Sequence, residues 1–324
     1  MEKILITGAS GYIGSILKNN LSQYKLIGID KKINTLSKHN VIKINLNSKH
    51  LEKLIFNFDP NIVIHLAGQS TIDFVGNKKR YLENNVRATQ NLIKSLKKCS
   101  SLKKIIFSST ASVYQPSKKN LTEKNKINPT NSYSLTKFKC ENILKKFSQK
   151  YEIDLIIFRF FNVCGADLKN KLGEAHEPET HLIPLVVNKL NNNKLVKIYG
   201  SNYKTKDGTC VRDYIHVMDI ISAIKKIILK DSKEKISIYN LGNEIGVSVK
   251  KIINTISSTL KKDAKLKIVS RRNGDVSRLV CSSKKFFKLI RWKPKNSKIQ
   301  KIINDEIMWQ KYLTKKNIKK RMVY

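Results

Sequence analysis

The chain opens on Lys3-Ile-Leu-Ile-Thr7, a short apolar run of strand type, followed by glycines at 8, 11 and 14 and an amphipathic stretch from Tyr12 to Leu21. That order predicts strand, tight turn and helix. Strand-like runs recur at Lys25 to Ile29, Val41 to Asn45, Ile62 to Leu66, Lys104 to Ser108 and Asp154 to Arg159, with helical patterns such as Tyr81 to Lys97 and Tyr133 to Tyr151 between them. Strands alternating with helices predict an α/β fold with a doubly wound parallel sheet. Ligands bind beyond the carboxyl ends of such strands, and those ends carry Thr7-Gly8, Asp30, Ala67-Gly68, Ser109-Thr110 and Phe160 to Asn162. After about residue 165 the pattern loosens into shorter elements joined by Gly-, Pro- and His-containing loops. We therefore expect a first domain over 1–164 and a smaller C-terminal α/β lobe over 165–324, with segments near 213–242 packing back on the first.

The glycine turn carries the first candidate chemistry. Gly8 permits the turn, Gly11 lets the backbone approach a pyrophosphate, and Gly14 allows close packing. The helix that follows offers unpaired amides and a partial positive charge to phosphates. The second strand ends at Asp30, about 20 residues beyond the turn, where an acid binds both ribose hydroxyls of an adenosine and repels a 2'-phosphate. A Rossmann-type domain binding NAD rather than NADP is expected. Tyr133 and Lys137 lie four apart on a predicted helix, so the ammonium can sit beneath the phenol and favour its ionised form. A tyrosine ordinarily titrates near about 10, and general-base work at neutral pH needs such a cation. Tyr-x-x-x-Lys also occurs on ordinary helices with a solvated lysine, so the pair gains weight only from its surroundings.

The 324 residues suffice for two lobes, and the formal charge is +40. The lysines come as pairs scattered over the whole length, without a basic stripe interleaved with aromatics, so no specific nucleic-acid partner is expected. The end, Lys315-Lys316-Asn-Ile-Lys319-Lys320-Arg321, reads as a frayed, solvated helix end. A core strand from residue 3 leaves no room for a signal peptide, and no apolar run reaches the roughly 20 residues of a membrane span, so a soluble cytoplasmic protein without a membrane partner is expected. Five separated cysteines without Cys-x-x-Cys spacing suggest reduced thiols. His176 and His181, beside Glu174 and Glu177, read as a polar loop rather than a metal site, and no metal is expected.

With the glycine turn, Asp30, Ser108-Ser-Thr-Ala-Ser-Val-Tyr114, Tyr133-x-x-x-Lys137 and Arg159-Phe-Phe-Asn-Val163 in order, the chain resembles the extended short-chain dehydrogenase/reductase superfamily. The second half narrows the resemblance to the UDP-glucose 4-epimerase family: Gly173-Glu-Ala-His-Glu-Pro-Glu-Thr-His-Leu-Ile-Pro184, Asp207-Gly-Thr-Cys-Val-Arg-Asp-Tyr-Ile-His-Val217, Tyr239-Asn-Leu-Gly242 and Arg271-Arg-Asn-Gly-Asp275. The Asp207 to Val217 string is the most specific. The resemblance implies NAD oxidation of a UDP-hexose at C4, rotation of the 4-keto sugar and re-reduction. Tyr133 would be the base, Lys137 its partner and Thr110 a hydrogen bond to the same oxygen. It places NAD against Gly8, Gly11, Tyr12, Ile13, Gly14, Asp30, Asn45, Leu46, Leu66, Ala67, Gly68, Asn85, Ser108, Tyr133, Lys137 and Phe161. The UDP-sugar falls to Thr110, Tyr133, Asn162, His181, Leu182, Tyr199, Arg212, Tyr214, Arg272, Asp275 and Leu279, with the arginines as bidentate pyrophosphate partners. Homodimers are usual in the family.

Several positions depart from the family pattern. Asn45 replaces an acid, Gln115 a glycine and Thr110 a serine, and Gln69-Ser-Thr-Ile-Asp-Phe74 lacks a lysine that many members carry. Leu279, smaller than a tyrosine, would admit N-acetylated sugars slowly. Other nucleotide-sugar 4-epimerases, UDP-N-acetylglucosamine 4-epimerase among them, are an alternative. A 4,6-dehydratase is disfavoured because Thr110 is followed by Ala111 and Ser112 rather than an acid pair. The non-enzymatic alternative is a catalytically dead dinucleotide sensor or RNA-binding relative.

Overall fold

The fold is described from a computed structural model over residues 1–34, 41–70, 78–231, 234–272, 274–318 and 321–322. Residues 71–74, where a lysine is missing from the family pattern, lie outside the described residues, as do Lys319 and Lys320 of the basic end. The first elements are β1 (Lys3–Thr7), α1 (Tyr12–Asn19), β2 (Lys25–Asp30), β3 (Val41–Lys43), α2 (Leu51–Phe58) and β4 (Ile62–His65). There follow α3 (Lys78–Tyr81), a π-helical turn over Leu82–Arg87, α4 (Ala88–Leu96), β5 (Lys104–Thr110), α5 (Ser132–Tyr151) and β6 (Asp154–Phe160). With the strand Ile236–Leu241, the six strands make a seven-stranded parallel sheet in the order Ile236–Leu241, β6, β5, β4, β1, β2, β3. The doubly wound Rossmann-type architecture expected from the alternation of elements is the one observed.

The order explains the apolar pattern. β4 and β5 lie inside the sheet with helices on both faces, and every residue of Ile62–His65 and Lys104–Thr110 is buried, so these strands read as continuous rather than alternating runs. One core beneath them joins Leu5, Val63, Ile105, Phe107, Leu144 and Ile157. The strand order reverses between β1 and β4, so the chain diverges to either side of Thr7 and His65, the place where such sheets hold ligands.

The chain divides into two compact units. The first comprises 1–113, 128–159 and 223–239, and the second 114–127, 160–222 and 240–324, so the chain passes between units several times. The second unit is built round the strand Val211–His216, which pairs with Asn162–Cys164, Gly246–Ser248 and Arg278–Leu279. A separate parallel pair joins Val196–Tyr199 to Leu266–Val269. The helix α6 (Leu182–Asn191) packs its Ile183, Val186 and Val187 into this unit's core with Ile252, Ile256 and Ile303. The basic end differs from the sequence reading. Its helix stops at Lys315, and Arg321–Met322 then pairs in parallel with His176–Glu177, because an extended backbone there finds partners for its amides and carbonyls. Among the described residues no helix is long and apolar enough to cross a membrane.

Candidate active site

The turn after β1 is built from backbone. Gly8 has φ +73° and its amide donates to Ile29 O at 2.9 Å, while a Cβ on Gly8 would lie 2.7 Å from Ala67 N. A Cβ on Gly14 would lie 2.1 Å from Gly8 O, so α1 starts hard against the turn. Gly11 caps α1, with Tyr12 and Ile13 as its first residues. Asp30 is buried and accepts from Ser10 N at 3.0 Å and Lys32 N at 3.1 Å, which fixes its carboxylate at the end of β2 beside the turn. Glycines without room for side chains, the amides of a helix start and a fixed acid form a cradle that fits a dinucleotide.

Flanking positions complete it. Leu66 N donates to Thr7 O at 3.2 Å and Ala67 N to Thr7 Oγ1 at 3.2 Å, so the segment through Gly68 is tied to the end of β1. Asn85, buried in the π-helical turn, accepts from Gln69 N at 2.7 Å and donates to Thr136 Oγ1 at 3.0 Å. Ser108 Oγ donates to His65 O at 3.2 Å. Asn45 is exposed and accepts from Asn47 N at 2.9 Å, whereas Leu46 is buried in the core. Its amide thus shapes its own turn.

Thr110 ends β5, and Tyr133 and Lys137 lie one turn apart near the start of α5, whose N-cap Asn131 accepts from Ser134 N at 2.8 Å. The Thr110 hydroxyl donates to Ser112 Oγ at 3.2 Å and accepts from Ser112 N at 3.2 Å, and it lies near enough to the Tyr133 phenol to favour its ionised form. Lys137 is buried with its Nζ 4.4 Å from the centre of the Phe107 ring. Burial pushes its pKa down to about 8, against the opposing effect of Cys140 and Glu141. Tyr133 behaves contrary to the sequence expectation. It is only partly buried as a residue, yet protein crowds its phenol oxygen, and desolvation pushes the pKa up to about 12 although the nearby Thr110 hydroxyl works the other way. The chain's own groups therefore leave Tyr133 protonated at neutral pH, because the loss of water outweighs the polar neighbours.

The second unit gathers the other predicted residues. Phe161 N donates to Leu241 O at 3.1 Å, and Asn162 Nδ2 donates to Asp213 O at 2.9 Å. Tyr214 is buried and aligned with Asn162 across the strand pair. Arg212 donates to Val276 O at 2.7 Å and to Asp275 Oδ1 at 3.2 Å, and its strand partner is Leu279. The Arg272 guanidinium stacks 3.7 Å over the Tyr199 ring. Arg212, Asp275, Leu279 and Val276 thus meet at one strand pairing. His181 caps α6, and its ring is turned to Glu174 and Glu179, which leaves its position before Leu182 rather than its imidazole to serve a ligand.

Residues 4–242 match the NAD dependent epimerase/dehydratase family. The chain belongs to that family. NAD is accordingly its cofactor. It is 34% identical to the UDP-glucose 4-epimerase of Halalkalibacterium halodurans over 95% of each chain. It also resembles the crystal structure of UDP-glucose 4-epimerase from Bifidobacterium longum in complex with NAD+ and UDP, with TM-score 0.87 and 29% identity over 96% of this chain and 98% of that one. The UDP-Glc/GlcNAc 4-epimerase of Campylobacter jejuni is similar with TM-score 0.78 and 28% identity, covering 96% of this chain and all of the other. These similarities make the chain a nucleotide-sugar 4-epimerase of the short-chain dehydrogenase/reductase superfamily.

Three features of this epimerase-family chain escaped the sequence reading. Glu141, one turn beyond Lys137 on α5, pairs with Arg159 of β6 through bonds of 3.0 and 2.7 Å and accepts from Ser109 Oγ, all inside the fold. This network fixes the face of α5 that bears Tyr133 and Lys137 against the strand that ends in Thr110, and an arginine within an apolar strand was the available signal. Asp213 is buried, accepts from Asn243 N, Glu244 N and Cys281 N at 2.7 to 3.0 Å, and has its pKa pushed up to about 6 by burial. It anchors the strand carrying Arg212. The polar loop over 174–181 brings ligating atoms of Glu174, His176, Glu179 and His181 within 4.8 Å of one another. The loop folds on itself, which spacing did not reveal.

Proposed function

We propose that the chain interconverts UDP-glucose and UDP-galactose by reversible oxidation at C4. The observation that carries this reading is the placement of Thr110 at the end of β5 with Tyr133 and the buried Lys137 ammonium one turn apart near the start of α5. When bound, NAD supplies the hydride acceptor and donor for C4 and, in its oxidised form, a positive charge. Tyr133 takes the proton of the 4-hydroxyl and later returns it, and Thr110 orients the same oxygen. Lys137, an ammonium below about pH 8, stabilises the phenolate that Tyr133 must become. Gly8, Gly11, Gly14 and Asp30 hold the cofactor, and the acid favours NAD over NADP.

Arg212 and Arg272 take the pyrophosphate, Asp275 a ribose hydroxyl, and Tyr199 the uracil, while Asn162 and Tyr214 line the same half. A firm nucleotide anchor with loose hexose contacts lets the 4-keto sugar turn over and receive the hydride on its other face. The pairing of Leu279 with Arg212 supports a position for Leu279 at the hexose. A homodimeric, cytoplasmic enzyme completes the reading.

The purified chain is incubated with UDP-galactose without added NAD, and UDP-glucose is assayed. Conversion by wild type and a loss of turnover of about 10²-fold or more in Tyr133→Phe, at little change in substrate affinity, are expected. Wild-type turnover in the mutant refutes the assignment of the base. No conversion of either sugar nucleotide by wild type refutes the reaction.

A further inference from the structure

The segment from Glu174 to His181 lies outside the chemistry proposed above, apart from the backbone position of His181. We propose that Glu174, His176, Glu179 and His181 form a binding site for a divalent transition-metal ion, with Zn²⁺ as the preferred occupant.

Their ligating atoms all lie within 4.8 Å of one another. Glu174 is 2% exposed, and its Oε1 lies 2.6 Å from His181 Nδ1 and 3.1 Å from His176 Nδ1, with Glu179 Oε1 3.5 Å from His181 Nδ1. By distance the four groups are paired. By direction they are not: neither Nδ1 makes a hydrogen bond of acceptable geometry, and Oε2 of both Glu174 and Glu179 is buried without a partner. Buried carboxylate oxygens ordinarily find partners, so a set of four converging donors with two unsatisfied oxygens marks a place that a cation satisfies.

Stoichiometry and geometry agree. Two carboxylates neutralise a dication and two neutral imidazoles complete four-coordination, so the occupied cluster carries no net charge into the interior. Bonds of about 2.1 Å place tetrahedral ligands roughly 3.4 Å apart, within the spread of separations observed, so side-chain rotation suffices to close the sphere. Mixed imidazole and carboxylate donors favour Zn²⁺ or Co²⁺ over the oxygen-seeking Ca²⁺ and Mg²⁺. The formal charge of +40 opposes any cation, but charges beyond about 8–10 Å are screened at physiological salt.

The surrounding contacts hold the donors in place. Trp309 Nε1 donates to Glu174 O at 2.6 Å, and the amides of Thr180 and His181 both donate to Glu179 Oε1 at 2.8 Å. His176 is paired through its backbone with Arg321, and His181 caps α6. A bound metal would pin the start of α6 to the Trp309 helix.

The test uses the full chain, freed of metal by chelator, with Zn²⁺ uptake followed by competition with a chromophoric chelator and Co²⁺ uptake by absorption. One equivalent per chain is expected, with Co²⁺ ligand-field bands and no thiolate charge-transfer band. His176→Gln and Glu179→Gln should each weaken uptake by roughly 10-fold or more. No uptake at one equivalent, a thiolate band from the cysteines, or unchanged uptake in folded variants would overturn the proposal. If circular dichroism finds both variants unfolded, the wild-type stoichiometry and Co²⁺ spectrum decide alone. Metal uptake is read independently of epimerisation, so failure of either proposal leaves the other standing.

Discussion

Replacing Lys137 by methionine should stabilise the nucleotide-free chain at neutral pH while impairing turnover. Lys137 is 5% exposed, and burial pushes its pKa from 10.5 down to about 8. At about 1.36 kcal/mol per pH unit, carrying the charge inside costs the fold about 3 kcal/mol at pH 7. Methionine fills much of the same space but loses the ammonium over the Phe107 ring, an interaction of about 1–2 kcal/mol when desolvated. A net gain of about 1–2 kcal/mol remains. The sign follows from proton binding. Below pH 8 both states keep the proton and the full penalty applies; between about 8 and 10.5 the folded state releases it first, so the penalty shrinks as pH rises. Urea denaturation of both proteins at pH 7 and pH 10, without nucleotide, measures the difference, and common titrations cancel in the comparison. A mutant less stable than wild type at pH 7, or a difference unchanged at pH 10, would refute the reasoning. The gain would be a stability cost accepted for function.

Glu141→Leu removes the buried carboxylate that accepts from Arg159 and should cost about 3–5 kcal/mol in urea denaturation, whereas Glu141→Leu with Arg159→Met should recover much of it; equal losses would show that the ion pair is not the cause. Asp30→Ala should weaken NAD binding and narrow the preference over NADP, measured by fluorescence titration of both, and an unchanged preference would place the adenosine elsewhere. Leu279→Tyr should selectively remove slow conversion of UDP-N-acetylglucosamine, by roughly 10- to 200-fold if the conflict is of methylene scale. Equal loss on both sugars, or no wild-type activity on the acetylated one, would reject Leu279 as the gate.

Features set by neighbours in sequence were legible from the chain alone. The run before Gly8, the glycine spacing and the acid after the second strand depend on φ angles and strand length over some thirty residues, so pattern reached the cradle around Gly8, Gly14 and Asp30. The pair Tyr133 and Lys137 likewise follows from helix geometry. Protonation did not follow. Sequence proximity suggested that Lys137 lowers the Tyr133 pKa, but the amount of water removed from each group is set by the packed neighbours, and desolvation moved both pKa values against the charged forms. Long-range partners were equally hidden: the bonds of Asn85 to Gln69 and Thr136, and of Arg159 to Glu141, exist only because the sheet brings separate helices and strands together. Even closeness in sequence was insufficient at Glu174, His176, Glu179 and His181, whose spacing fits neither a helix face nor a strand face. The path of the loop, anchored by Trp309 and the start of α6, alone decided that four polar side chains converge. Sequence determined the local backbone chemistry of this protein, and tertiary packing decided solvation and the meeting of distant charges, because both depend on which groups exclude water from which.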